Sequence, residues 1–210
     1  MGDEGLAREL SLRGINDRRV LDAIRSLDRS QFVPASERAR ATADQPLPIG
    51  HGQTISQPYI VGFMSQALQV QPGERILEIG TGSGYQAAVL ARLGADVYSV
   101  EIVPQLAAQA KERLQELGLL DRIHLRQGDG TPGWKEAAPF DAIVLTAAPP
   151  RIPEALLDQV RVGGRLLAPV GEQEDLQQLV LVRRTTAGGA VERLLSVRFV
   201  PMIRDAPRLC

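Results

Sequence analysis

The chain has 210 residues, long for one compact α/β domain and short for two, so one domain with modest extensions is expected. An apolar share of 44%, a charged share of 23% and a mean hydropathy of −0.08 are those of a soluble globular protein and exclude a disordered one. The 24 basic and 25 acidic residues leave a net charge of −1, and no run of Lys or Arg offers a phosphate-tracking stripe, which argues against a nucleic-acid substrate.

The single cysteine, Cys210, rules out an internal disulfide and is compatible with a reducing compartment. Met1-Gly2-Asp3-Glu4 is acidic and lacks the apolar core of a signal peptide, and the most apolar stretch, residues 142–150, is too short to span a bilayer. A cytoplasmic monomer without membrane association or a metal is the expectation.

The first forty residues read as small helices. Val20, Leu21, Ile24 and Leu27 recur at helical spacing, with Asn16 or Asp17 available as the cap. From 44 to 58, Pro46, Pro48, Gly50, Gly52 and Pro58 interrupt any regular element, so a loop is expected. Pro58 suits the first turn of a helix whose apolar face carries Ile60, Val61, Met64, Ala67 and Leu68 and which ends at Gln71-Pro72-Gly73.

The pattern then alternates: strand 75–79, helix 85–93, strand 97–101, helix 104–117, strand 123–127, strand 140–146. Strands separated by helices imply right-handed crossovers and a parallel, doubly wound sheet. A helix over 153–160, a turn at Gly163-Gly164, a strand over 165–170 and β-rich runs over 176–184 and 190–200 follow, the last two joined by a hairpin turn at Thr186-Ala187-Gly188-Gly189. The fold class expected is therefore α/β, a doubly wound, mostly parallel sheet that ends in antiparallel strands and carries an N-terminal helical extension. This arrangement resembles the class I methyltransferase fold. The single domain, 1–210, divides into N-terminal helices and a loop over 1–57, a cofactor-binding core over 58–170 and C-terminal strands over 171–210.

The strand ending in Leu77-Glu78-Ile79 runs into Gly80-Thr81-Gly82-Ser83-Gly84-Tyr85 and a helix, which places residues without side chains where a ligand approaches a helix N-terminus. A dinucleotide fingerprint needs a third glycine where Tyr85 stands, so nicotinamide cofactors lose ground. Glu78 beside the glycines suits the cationic amino group and sulfonium of S-adenosylmethionine better than a pyrophosphate. Glu101 ends the next strand, 21 residues after Gly80, close to the spacing of about 20 at which an acidic side chain meets ribose hydroxyls. Asp129, within Gly128-Asp129-Gly130, can accept from an adenine amino group or can simply form a turn.

Gly50-His51-Gly52-Gln53-Thr54-Ile55-Ser56-Gln57-Pro58-Tyr59, the glycine turn, Gly128-Asp129-Gly130, Gly133-Trp134, Ala138-Pro139-Phe140-Asp141, Thr146-Ala147-Ala148-Pro149 and Arg198-Phe199-Val200-Pro201-Met202, in that order, resemble the protein-L-isoaspartate O-methyltransferase family over residues 14–202. The resemblance implies methyl transfer from S-adenosyl-L-methionine to the free α-carboxylate of L-isoaspartyl, and in some members D-aspartyl, residues of damaged proteins. It implies S-adenosyl-L-homocysteine as product and repair through a succinimide. It makes Ser56 the active-site residue, with Thr54 and Ile55 shaping the substrate loop and Thr146 on the cofactor side.

A carboxylate with a pKa of about 4 is ionised by roughly three log units at neutral pH, so this nucleophile needs no general base. Ser56 is therefore expected to orient the carboxylate, although it also stands where a helix cap before Pro58 belongs. His51 between two glycines is expected to face solvent, while Trp134 and Tyr85 suit either pocket or core. Three rival readings remain at the level of sequence. They are a methyltransferase for small molecules, from which only the 53–58 loop departs, a nucleic-acid N-methyltransferase, whose amine-binding motif is missing at 128–130, and a binding module that has lost its chemistry.

Overall fold

The computed structural model describes residues 4–172 and 175–204, so Cys210 and Met1-Gly2-Asp3 lie outside the described residues. Two helices, α1 (Glu4–Leu12) and α2 (Arg18–Arg25), open the chain, followed by 3-10 turns at Arg29–Phe32 and Ala35–Arg40. Asp17 is the cap of α2, accepting from Arg19 N. The Asn16 and Asp17 amides instead donate to Gln66 Oε1 on α3 (Pro58–Leu68), at 2.7 and 2.8 Å. Leu10, Ile15, Val20 and Ile24 are buried, so the helical extension is part of the core.

The 44–58 segment departs from the expected loop. Leu47–Gly50 (β1) and Gln53–Ile55 (β2) form an antiparallel ribbon with Leu47 opposite Ile55 and Pro48 opposite Thr54. The interruptions make the ribbon possible: His51 and its flanking glycines all take positive φ in its turn, and Pro48 is tolerated because a two-stranded ribbon consists of edges. His51 sits exposed at this tip.

The main sheet is built from β3 (Arg75–Ile79), β4 (Asp96–Glu101), β5 (Ile123–Gln127), β6 (Phe140–Leu145), β7 (Val160–Val170), β8 (Gln177–Thr185) and β9 (Gly188–Val197), in the spatial order β5-β4-β3-β6-β7-β8-β9. The pairs from β5 to β7 are parallel and the last two antiparallel, as the crossovers and the closing hairpin require. Helices α4 (Tyr85–Arg92), α5 (Pro104–Glu116) and the short α6 (Glu154–Leu157) connect the strands, and α5 buries Leu106, Ala110 and Leu114. The order of connection reverses between β3 and β6, and such a switch point opens a crevice at the carboxyl ends of the strands. Among the described residues no helix is long and apolar enough to cross a membrane.

Three expectations in the second half are corrected. The helix over 153–160 shrinks to α6, and Gly163-Gly164 is no turn: it lies within β7, where the register against β6 shifts between Phe140 and Ala142. A Cβ on Gly164 would stand 2.7 Å from Asp141 O, so the glycine serves close backbone approach at an irregular strand. The closing hairpin is likewise tighter than expected, because Gly188 and Gly189 already pair with Thr185 and Arg184.

Polar side chains buried in the core fix its registry. Arg165 on β7 donates to Leu68 O and Gln69 O at the end of α3 and forms a two-pronged pair with Glu74, its Nη1 2.7 Å from Glu74 Oε1. Both side chains are nearly covered, at 8% and 13% exposure. Removing one partner of such a pair strands the other charge, so Glu74→Ala is expected to cost about 3 kcal/mol in urea unfolding. A cost below about 1 kcal/mol would place this pair among weak surface bridges.

Glu78 is a carboxyl in the middle of the sheet, with no exposed surface. Ser99 on β4 donates to its Oε2, Ser99 Oγ lies 2.6 Å from Thr81 Oγ1, and Oε1 has no hydrogen-bond partner among the described residues. Burial, opposed by the Ser99 hydrogen bond and aided by the Glu101 charge, lifts its pKa from 4.5 to about 8. The group is therefore mostly protonated in the folded protein at neutral pH. Its contribution to stability is complete below the unfolded pKa and disappears as pH rises through the folded one. Between about pH 5 and pH 8 the folded state holds a proton that the unfolded state has released, and stability falls by up to about 1.4 kcal/mol per pH unit. Glu78→Gln lacks this term, so its stability relative to the parent protein is expected to climb across that window in denaturant melts. A gap that stays constant with pH would contradict the protonated state.

Candidate active site

A cleft lies at the carboxyl ends of β3, β4 and β6, where the strand order reverses. Its floor is the turn from Gly80 to Ser83, with Tyr85 at the start of α4. Gly80 holds φ at 101°, and a Cβ there would stand 2.5 Å from Thr146 Oγ1, which donates to Ile79 O and Gly80 O. Gly84 has a different role: it packs against Leu114 and Ala110 of α5 and does not line the cleft.

Glu101 ends β4 and lines the cleft. Its Oε2 accepts from Gly82 N at 2.7 Å and its Oε1 from Val103 N at 2.9 Å. Burial raises its pKa, and the backbone hydrogen bonds from Val103, Gly82 and Ile102 oppose that rise. A carboxylate has about four acceptor positions, so each oxygen keeps capacity for a ligand hydroxyl. Ile102 and Val103 add an apolar wall, and Gly130 closes the far side, where a Cβ would meet Ile79 Cγ2 at 2.5 Å.

Other expected groups are placed elsewhere. Glu78 does not line the cleft: it is buried in the sheet, and desolvation keeps it protonated, so it offers no negative charge to a cation. Gly128 and Asp129 are also outside the lining. Asp129 Oδ1 accepts from Thr131 N at 2.7 Å, the geometry of a side-chain-closed turn. Trp134 packs edge-on against Tyr98 and under Arg126, away from the cleft, whereas Tyr85 belongs to both core and cleft, meeting Phe32 edge-on at 5.0 Å.

The β2 ribbon brings Thr54, Ile55 and Ser56 to the mouth of this cleft. A second groove adjoins it, and the two share Thr54, Ser56, Thr146 and Val200. The groove is lined by Pro46 and Ile60 on one side and by Leu176 and the 196–199 stretch on the other. That stretch runs on into Val200 and Met202, which hydrogen-bond with Ala148 after β6 and so carry the C-terminal segment across the cleft.

Ser56 is not the cap of α3. Asp44 takes that role, accepting from Tyr59 N at 2.7 Å and Gln57 Nε2 at 2.9 Å while paired with Arg13. Nothing in the spacing of Asp44 marks it, because the helix it caps begins fourteen residues later. Arg29 is a second group that sequence patterns hide: it is buried beneath the ribbon and donates to Ser56 O at 3.1 Å.

The family model for protein-L-isoaspartate(D-aspartate) O-methyltransferase matches residues 2–206. The chain is 56% identical over 205 residues to a Myxococcus xanthus protein-L-isoaspartate O-methyltransferase, covering 96% of each, and 57% identical over 204 residues to one from Anaeromyxobacter dehalogenans, covering 96% of this chain and 97% of that one. Among solved structures it superposes with a TM-score of 0.87 at 26% identity on a Plasmodium falciparum protein of the same description in complex with S-adenosyl-L-homocysteine, covering 98% of this chain and 100% of that one. Another protein-L-isoaspartate O-methyltransferase structure gives a TM-score of 0.87 at 28% identity, and there the match covers 94% of this chain and 65% of the longer one. The chain belongs to the protein-L-isoaspartate(D-aspartate) O-methyltransferase family.

Proposed function

We propose that this protein transfers the methyl group of S-adenosyl-L-methionine to the free α-carboxylate of L-isoaspartyl residues in damaged proteins and peptides, the step that commits them to repair through a succinimide. The observation that carries this reading is the meeting of two clefts at Thr54, Ser56 and Thr146. One is walled by the glycine turn, Glu101, Ile102 and Val103; the other is lined by polar and apolar side chains together, among them Gln57, Ile60, Arg198 and Phe199.

The residues present fit S-adenosyl-L-methionine. Glu101 keeps acceptor capacity for ribose hydroxyls, Ile102 and Val103 offer a wall for a purine, and the Gly80–Gly82 backbone leaves room for close approach. Thr81, Ser83, Tyr85, Gly130 and Thr146 complete the proposed contacts, with Glu78, Gly84, Gly128 and Asp129 acting from behind as packing and turn residues. When bound, this cofactor supplies a methyl group on a positively charged sulfur.

The acceptor oxygen forms a bond to the methyl carbon as the carbon–sulfur bond breaks, and its electron pair goes to sulfur, leaving a neutral thioether, S-adenosyl-L-homocysteine, and a neutral ester. Opposite charges cancel along this path. A dry site that holds the partners in line lowers the barrier, and donors aimed at growing charge add nothing. Ser56 orients the carboxylate by donating a hydrogen bond, and Thr54 and Ile55 hold the ribbon that presents it. His51, exposed at the ribbon tip, has no part in this chemistry.

A net charge of −1 without a basic stripe supports a protein rather than a nucleic-acid acceptor. The reading is compatible with work in the cytoplasm.

Labelled S-adenosyl-L-methionine offered with paired isoaspartyl and aspartyl peptides is expected to give base-labile methyl ester on the isoaspartyl peptide alone. Equal labelling of both, or of neither, would remove the repair assignment. Ser56→Ala is expected to lower turnover at saturation about 10- to 100-fold, the range for loss of one orienting contact, while S-adenosyl-L-homocysteine affinity by calorimetry stays within about threefold. Collapse of that affinity with turnover preserved would move Ser56 to the cofactor side.

A further inference from the structure

Arg29 has 1% of its surface exposed, and no carboxylate pairs with it among the described residues. Its Nη1 donates to Ala41 O at 2.7 Å, and its Nη2 donates to Gln45 O at 3.0 Å and to Ser56 O at 3.1 Å. Its Nε has no hydrogen-bond partner among the described residues. Main-chain carbonyls of Ala41, Ala43, Gln45 and Ser56 therefore solvate this cation, the Ala43 contact being the longest at 3.5 Å, and no carboxylate among the described residues offsets it.

A buried charge without a counter-ion is costly, and a neutral side chain can donate to carbonyls without that cost. The position of Arg29 suggests what the charge is for. It lies directly beneath Ser56, one of the four residues shared by the cofactor cleft and the acceptor groove, and its neighbour in the same 3-10 turn, Phe32, packs against Tyr85 of the cofactor cleft. Removed from solvent, its field is weakly screened and reaches into the point where the acceptor must sit.

We infer that Arg29 is a positioning residue for methyl transfer: through Ser56 O it holds the acceptor ribbon in place, and it supplies the buried positive charge that draws an anionic acceptor to Ser56. This rests on the reading above that the acceptor is a carboxylate. The two roles separate kinetically. The acceptor oxygen loses negative charge as the methyl group arrives, so attraction to Arg29 is strongest before reaction and enters through KM. It vanishes with the neutral ester, which favours product departure. Placement of the ribbon enters through kcat, because misaligned partners react slowly.

The test compares an isoaspartyl peptide with the same peptide carrying an α-carboxamide in place of the free carboxylate, in the parent protein and in Arg29→Lys and Arg29→Gln. The parent protein is expected to bind the carboxylate peptide about tenfold more tightly than the neutral one, as measured by KM for the first and by the inhibition constant for the second. Arg29→Gln is expected to lose this preference, raising KM about tenfold with the inhibition constant of the neutral peptide nearly unchanged. Arg29→Lys is expected to restore KM to within about threefold while kcat stays depressed. Thermal melts and S-adenosyl-L-homocysteine affinity establish that each variant is folded. Equal weakening of both peptides in Arg29→Gln, or failure of Lys to recover KM, would reduce Arg29 to a structural clip and overturn the inference. Equal binding of the two peptides by the parent protein overturns it without any variant, should Arg29→Gln fail to fold. Absence of ester formation by the parent protein would instead sink the underlying carboxylate reading.

Discussion

The hydrogen bonds of Glu101 to the amides of Gly82 and Val103 are the constraint on which the rest of the site is built. One carboxylate at the end of β4 takes the backbone donors of the glycine turn after β3 and of its own continuation into α5, so the two strands end in a fixed relation. Without that tie, the buried Val103 amide and the partly buried Gly82 amide would lose their acceptor. With it, the turn keeps its positive-φ path, Thr146 can close on Gly80 O from β6, and a crevice remains above all three strands.

Covered ionisable groups in this fold are stabilised in different ways. Arg165 with Glu74 and Arg13 with Asp44 are matched pairs that pin α3 at its two ends, so the helix following the acceptor ribbon cannot drift relative to the sheet. Glu78, Glu101 and Arg29 have no opposite charge among the described residues, and Glu101 is held by backbone amides instead. Glu78 resolves the conflict by holding a proton, which a carboxyl can do near neutral pH. For Arg29 burial lowers the pKa only to about 10, so the charge persists at neutral pH and backbone carbonyls take the place of a counter-ion. A buried cation is thus kept against the backbone of Ser56, between the two clefts.

Much of the fold was legible because local chemistry and global packing agree. Strand β3 carries Ile76, Leu77 and Ile79 around Glu78, Pro104 starts α5, and the closing hairpin carries its own glycines. Misreadings arose where glycine and proline were taken as terminators. Gly163-Gly164 sits inside β7 because neighbouring backbone approaches too closely for a side chain, and the 44–58 prolines and glycines shape a ribbon. Both depend on what lies across in space, which a single run of residues does not reveal.

For the site, the sequence by itself determined which residues form the glycine turn, that an acidic residue ends the following strand at the right spacing, and that Ser56 stands on a distinctive loop. These are local facts, set by strand period, turn chemistry and helix starts within about twenty-five residues. Only the tertiary structure decided that Glu101 faces the cleft while Glu78 is sealed beneath it and Asp129 closes a turn. It also decided that Asp44 caps α3 in place of Ser56, and that Arg29 lies under the acceptor ribbon. The physical reason is that burial and hydrogen-bond partnership are set by residues brought together from distant parts of the chain, and those two quantities determine whether an ionisable side chain carries charge, what it touches and whether it can reach a ligand.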